Sequence, residues 1–458
     1  MAIIGKRKDV KMTSGSIVKL LVMFTIPLIL GNLFQQLYNM VDTWVVGRYV
    51  GDNAFSAVGT VGSVLNLFIF GFVGFSNGGG VVVSQFFGAG DEAKVKKAVH
   101  TLVTISLACC VFFTVVGYAL IPVMINIMNA PAEVAVEQEA YLKIIFMFMS
   151  FQVIYNMGSA LLRAVGDSTR PFLFLVSACI TNIVLDLLFV IKFGMGVEGV
   201  AWATIIAQGV SALLCVITLL TTNSVVRVNL KDLCFDKAIA KKICVIGFPT
   251  AIQSVITAIS NVFVQRYTNA FGRDVMGGWT CYAKVDQLVM MPMQSMCIAV
   301  QTFVGQNLGA GNKPRAKEGL KKSIFLCMGI TAFLGGIVFI FAAPISGFFT
   351  ESAGIIEYGK YFLRIITPFM LLACIGMLTL SALRGAGNST IPMILTLFSY
   401  VAFRQIMLFT VSRIWPGNLL PIALAYPLGW LLCTILVLIY YKIKGFGEKS
   451  VIADASAK

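Results

Sequence analysis

Long apolar runs recur along the whole chain, each ended by a short cluster of charge, glycine or proline. They fall near 17–44, 55–83, 99–123, 140–162, 171–191, 198–222, 243–270, 276–304, 322–347, 361–382, 391–412 and 418–441. A hydrocarbon core about 30 Å thick is crossed by about 20 helical residues rising about 1.5 Å each. The pattern therefore predicts twelve transmembrane helices and an all-α, polytopic membrane protein. With both ends inside, most of the 35 Lys and Arg fall in the N-terminal segment, the loops near 85–97, 163–170, 223–242, 305–322 and 384–390, and the C-terminal tail. That asymmetry sets the orientation, with both termini cytoplasmic. Two of the opposite connections, "NAPAEVAVEQE" (129–139) and "TESAGIIEYG" (350–359), are acidic and are placed outside.

Composition agrees with this reading. The chain is 58% hydrophobic and 12% charged, against about 45–50% and 25% in soluble domains. The net charge of +15 reads as an anchor on anionic headgroups, so no nucleic-acid partner is expected. Eleven scattered cysteines lack the spacing of a zinc site or a disulfide framework. The N-terminal segment lacks the short apolar stretch and small-residue cleavage site of a signal peptide.

An internal repeat sharpens the picture. "QFFGAGDEAKVKKAV" at 85 returns as "QNLGAGNKPRAKEGL" at 306, and "LRAVGDSTRP" at 162 returns as "LRGAGNSTIP" at 383, both at an offset of 221. "IPLILGNLFQQLYN" at 26 pairs with "FPTAIQSVITAISN" at 248, an offset of 222. The chain is thus a duplicated six-helix unit. It divides into a tail (1–16), a first lobe (17–222), a basic linker (223–242), a second lobe (243–444) and a second tail (445–458). Six spans per unit give both halves the same orientation, as in transporters built from parallel repeats. The chain has no phosphate loop of the G-x-x-x-x-G-K-[ST] type, so transport would draw on an ion gradient.

"YNMVDTWVVGRYVG" at the end of the first span, the "QxxGAG" loops after the second and eighth, and "LLRAVGDSTRP" after the fourth resemble the multidrug and toxic compound extrusion (MATE) family of prokaryotes. The resemblance covers residues 17–444. It implies a V-shaped pair of six-helix lobes in the inner (cytoplasmic) membrane, working without a cofactor and as a monomer. It further implies export of bulky, often cationic, drug-like compounds in exchange for H⁺ or Na⁺, with no enzymatic activity.

The fifth span, "PFLFLVSACITNIVLDLLFVIK", keeps Asn182 and Asp186 where a charge costs about 2.5–3.5 kcal/mol even on lenient scales. The two are one helical turn apart and share a face. Asp42 on the first span and Thr204 on the sixth lie at similar depth, toward the outside. Two carboxylates in low dielectric cannot both stay ionised cheaply, so a proton is shared or taken up. Na⁺ would substitute through the same carboxylate, amide and hydroxyl oxygens. The resemblance, closest to the DinF-like and archaeal branch, assigns coupling to Asp42, Asn182, Asp186 and Thr204, with Tyr38 one turn before Asp42.

Nothing in the second half matches that set; Asp42 pairs with Val264 or Phe263. Lys284 and Asp286 in the eighth span and Arg404 in the eleventh read either as a fixed ion-pair cluster or as part of a substrate path. Pro27 breaks the hydrogen-bond ladder of the first span and is expected to bend it. "GFSNG" (74–78) has the spacing of a nucleophile elbow, but its context is helical, and the same glycines fit G-x-x-x-G packing. His100, the one histidine, is expected at the solvated interface. "VMMPMQSM" (289–296) fits packing or an adaptable drug surface. Two rival readings remain. A lipid-linked oligosaccharide flippase would need a cationic cavity, whereas the clear spans hold Asp42, Asp186 and Asp286 against Lys284 and Arg404. A channel or receptor fits poorly with acids in one half only.

Overall fold

The computed structural model describes residues 9–447 except Asn129 and Pro416, and at Asp52, Ser63 and Ser412 the backbone alone. Of the two tails, only the parts from Asp9 and as far as Gly447 fall among the described residues. No strand occurs among them. Among the described residues, eleven helices are long and apolar enough to cross a bilayer, and the pair Ala132–Met147 and Met149–Ala164, bent by 48°, makes a twelfth. The order of the spans is Ile17–Val50, Asn53–Gly88, Glu92–Ala119, the bent pair, Thr169–Lys192, Gly196–Thr221, Lys237–Asn269, Arg273–Gly309, Lys313–Ile340, Ala353–Gly385, Thr390–Val411 and Leu420–Lys444. Each overlaps one apolar run of the sequence.

Helix ends extend past the apolar runs because capping, not hydropathy, stops a helix. The seventh span starts at Lys237, inside the segment read as linker, since Asp236 Oδ1 accepts the N–H groups of Ala238 and Ile239 at 2.9 and 3.0 Å. Such a side chain satisfies amides that the first helical turn leaves open. Large apolar residues remain outward on the spans, among them Val111 (66% exposed) and Phe333 (69%). A soluble domain rarely leaves such surfaces bare; here they form a lipid-facing wall.

The chain forms two compact units. One comprises Met1–Lys11 and Ile26–Ala251, and the other Met12–Thr25 and Ile252–Lys458. Each unit thus holds the opening turns of a helix whose remainder belongs to the other. Both changeovers lie next to a proline, Pro27 in the first span and Pro249 in the seventh, and both prolines sit inside continuous helices.

Within the first unit, "GFSNG" is a packing surface. A Cβ on Gly74 would stand 2.5 Å from the backbone nitrogen of Ala251, and one on Gly78 would stand 2.6 Å from that of Gly247. Gly74 and Gly78 are one turn apart, as are Gly247 and Ala251, so two small-residue stripes lie backbone to backbone. Ser76 is helical and donates to the Phe72 carbonyl at 2.9 Å, which leaves it no nucleophilic geometry. Gly78→Ala is expected to lower the detergent melting temperature, because a rigid backbone faces the new methyl and overpacking costs about 1–3 kcal/mol. Unchanged melting would mean that the two helices part without penalty.

The segment after the sixth span folds back on the third. Asn229 donates its N–H to Nε2 of His100 at 3.2 Å, Asp236 donates to Thr101 Oγ1 at 3.1 Å, and the Thr104 hydroxyl reaches the Cys234 carbonyl. His100 is therefore buried rather than solvated. Local hydropathy could not reveal that a segment more than 120 residues later would cover it. In the second unit, Met290, Met291, Met293 and Met296 are all buried, which makes the methionine run packing within that unit.

Candidate functional site

The first unit gathers the acidic residues. Tyr38 and Asp42 are one turn apart on the first span, Asn182 and Asp186 one turn apart on the fifth, and Thr204 stands on the sixth. Asp42, Asn182 and Asp186 are 8%, 1% and 0% exposed. Asp186 ends the regular part of its helix, and the next residues, Leu187–Lys192, form a π turn. A second π turn, Val46–Val50, follows Asp42 on the first span. Wide turns of this kind interrupt α-helices most often at functional positions; here they follow directly on the two acid-bearing helices.

Asp42 has both Asp186 and Asn182 as neighbours. Two ionised carboxylates have no hydrogen to place between them. Among the described residues, Asp42 Oδ1, both carboxylate oxygens of Asp186, both amide atoms of Asn182 and Thr204 Oγ1 are buried without a hydrogen-bond partner. Buried acceptors left in this state are costly. One proton between the carboxylates would satisfy the pair, and a hard cation would find carboxylate, amide and hydroxyl oxygens. The donor set fits either ion.

A cavity of about 300 Å³ opens beside this cluster, lined by Tyr38, Asp42, Tyr141, Thr204 and Gln208 among polar residues and by Phe55, Ile69 and Phe148 among apolar ones. Asp42 lies on its wall, whereas Asp186 and Asn182 are not among its lining residues and sit behind Asp42. Tyr141, on the fourth span, stands beside Asp42 and Thr204. Sequence reasoning missed it, since one tyrosine in an apolar run reads as core or interface. Gln208, one turn beyond Thr204 on the same face, could have been found from that spacing.

The three charged residues of the second half do not join as ion pairs among the described residues. Lys284 is exposed. Asp286 accepts the Tyr282 hydroxyl at 3.1 Å. Arg404 is 3% exposed; its guanidinium donates to Ser260 Oγ at 2.7 Å and Asn261 Oδ1 at 2.9 Å and lies 4.6 Å from the Tyr426 ring centroid. Pro27 lies within a helix that stays continuous through it, because the turn of backbone it disturbs is short relative to the span.

The model of the family described as MatE matches residues 27–188 and 246–409. The probable multidrug resistance protein NorM of Thermotoga maritima is 30% identical over 411 residues, 88% of this chain and 87% of that protein. The probable multidrug resistance protein YoeA of Bacillus subtilis is 26% identical over 442 residues, covering 94% and 95%. A solved structure described as the outward-facing conformation of a multidrug resistance MATE family transporter of the MOP superfamily aligns with a TM-score of 0.89. It is 25% identical and covers 96% of this chain and 98% of its own.

Proposed function

The chain belongs to the MatE family, multidrug efflux transporters and not enzymes, and within it we propose an antiporter driven by ion uptake at Asp42 and Asp186. The observation that carries this reading is a pair of buried carboxylates, Asp42 on the wall of a cavity and Asp186 behind it, with Asp42 Oδ1 and both oxygens of Asp186 unsatisfied. H⁺ or Na⁺ entering from outside would discharge the pair, with Asn182, Thr204 and Tyr38 as the remaining polar contacts. No cofactor is required.

The exported compounds are bulky, drug-like and often cationic. The chain sits in the cytoplasmic membrane as a monomer with both termini inside. Coupling is reciprocal: an ion that lowers drug affinity is itself displaced by drug. The first span links acid site to bend, because it carries Asp42 and Pro27 on one helix; occupancy of the carboxylates would change that bend and favour the inward-facing state.

Purified protein in liposomes tests this. In Na⁺-free buffer with an imposed pH gradient, ethidium is expected to move against its own gradient, and an uncoupler is expected to stop it. Transport that persists after collapse of the proton gradient and in the absence of Na⁺ would remove ion antiport altogether. Transport only with Na⁺ would assign the ion and keep the site.

A further inference from the structure

The repeat places the coupling residues of the first half on specific positions of the second. At an offset of 222, Tyr38 falls on Ser260 and Asn182 on Arg404. These two side chains are hydrogen-bonded in the second unit, where the Arg404 guanidinium also lies over the Tyr426 ring. The π turn Leu397–Phe403 stands just before Arg404. One such turn takes up an extra residue, which accounts for the step from 221 at the preceding loop to 222 here.

The two carboxylates have changed in the opposite sense. Asp42 falls on Val264 and Asp186 on Leu408, and both are buried. One acid stands near, Asp286 on the eighth span, reached through Tyr282, which neighbours both Asp286 and Arg404. The second half thus lacks the paired acids that would draw in a mobile ion and holds a permanent positive group among the equivalent polar partners. Arginine suits this use, since its head keeps its charge under all conditions met in proteins and stacks on aromatic faces.

From this juxtaposition we propose that Arg404 is a tethered cation, filling in the second half the place that a mobile ion takes in the first, so that the chain has one exchangeable ion site and not two. The count of one rests on the coupling site assigned to the first unit; the tethered cation itself does not. On this view the second unit stays in its cation-loaded arrangement throughout the cycle, and only the first responds to the ion gradient.

The test is replacement of the attached cation by a free one. Purified Arg404→Ala protein is expected to melt at a lower temperature than wild type and to lose ethidium efflux. Millimolar guanidinium or methylguanidinium should restore both in a saturable way, while potassium and tetramethylammonium should not. The sign is diagnostic, because guanidinium destabilises ordinary folds and only a bound ion raises the melting temperature. Wild type should show no such rise. Arg404→Lys and Arg404→Met separate charge from volume if the alanine variant fails to fold: lysine, which keeps the charge but not the stacked planar head, should retain part of the stability and efflux, and methionine should lose both. An alanine variant that folds but gains nothing from guanidinium overturns the proposal, as does a methionine variant as stable and active as the lysine one. The guanidinium-dependent rise in melting temperature does not involve Asp42 or Asp186, so failure here and failure of the first-unit assignment are distinguishable.

Discussion

Asp186→Asn is expected to abolish gradient-driven efflux while the protein remains folded and inserted. Asp186 is completely buried, and neither of its carboxylate oxygens has a partner among the described residues. Asparagine has nearly the same shape and carries no charge, so it imitates the discharged acid and cannot give up a proton. For Na⁺ it removes the charged ligand that offsets dehydration of the ion. The variant should therefore resemble the ion-loaded state at every pH. Drug affinity above neutral pH should fall about 5–150-fold, the range that a coupling free energy of roughly 1–3 kcal/mol provides. Melting should move the other way: a buried ionised group without a partner is destabilising, so the variant is expected to melt no lower than wild type at neutral pH. Asp42→Asn should give the same loss of efflux, with a smaller gain in stability because Asp42 borders the cavity. Ethidium efflux from energised cells, drug binding across pH, and size-exclusion profiles measure these three effects. Wild-type efflux from either variant would remove the site.

Much of this arrangement was legible in the sequence because membrane insertion and helical period are local properties. Twelve apolar runs gave twelve spans, and spacing of four placed Tyr38 with Asp42 and Asn182 with Asp186. What could not be read depends on contacts between residues far apart in the chain. Tyr141 reaches the site because the bent fourth span packs against the second and sixth, and no pattern within that span signals it. His100 was placed in solvent because its cover is supplied from residue 229 onward. Arg404 looked like one member of an ion-pair cluster, yet its partners are a hydroxyl, an amide oxygen and a ring. Opposite charges at similar depth do not imply a shared helix face. The GFSNG glycines were read as packing residues from their spacing, but their partner on the seventh span became visible only through the backbone approach.

Asp167→Ala is expected to produce the larger stability loss, and the repeat itself supplies the control. Asp167 and Arg170 open the fifth span, 7% and 4% exposed. Their side chains meet at 3.3 Å, while Asp167 Oδ1 also accepts the N–H groups of Thr169 and Arg170. The arginine donates in addition to Thr222 Oγ1 at 3.3 Å. Removing the acid takes away the carboxylate that Asp167 sets beside the buried guanidinium and the cap of the helix start, and breaking a buried pair in this way costs about 3–5 kcal/mol. The second repeat solves the same geometry without charge. The equivalent positions, offset by 221, are Asn388 and Ile391; Asn388 Oδ1 accepts the Ile391 N–H at 3.3 Å, and its amide donates to the Tyr440 hydroxyl at 3.0 Å. The cap survives, and the buried charge is gone. Asp167→Asn combined with Arg170→Ile should therefore melt close to wild type, although Asp167→Ala alone should fall well below it. With the Asp167→Asn and Arg170→Ile single variants measured alongside, the excess over additivity in that cycle measures the coupling between the two side chains. If the single and double variants fall equally, the loss lies in the loop backbone held by Gly166, whose φ of +86° places it against Val10, and not in the broken pair.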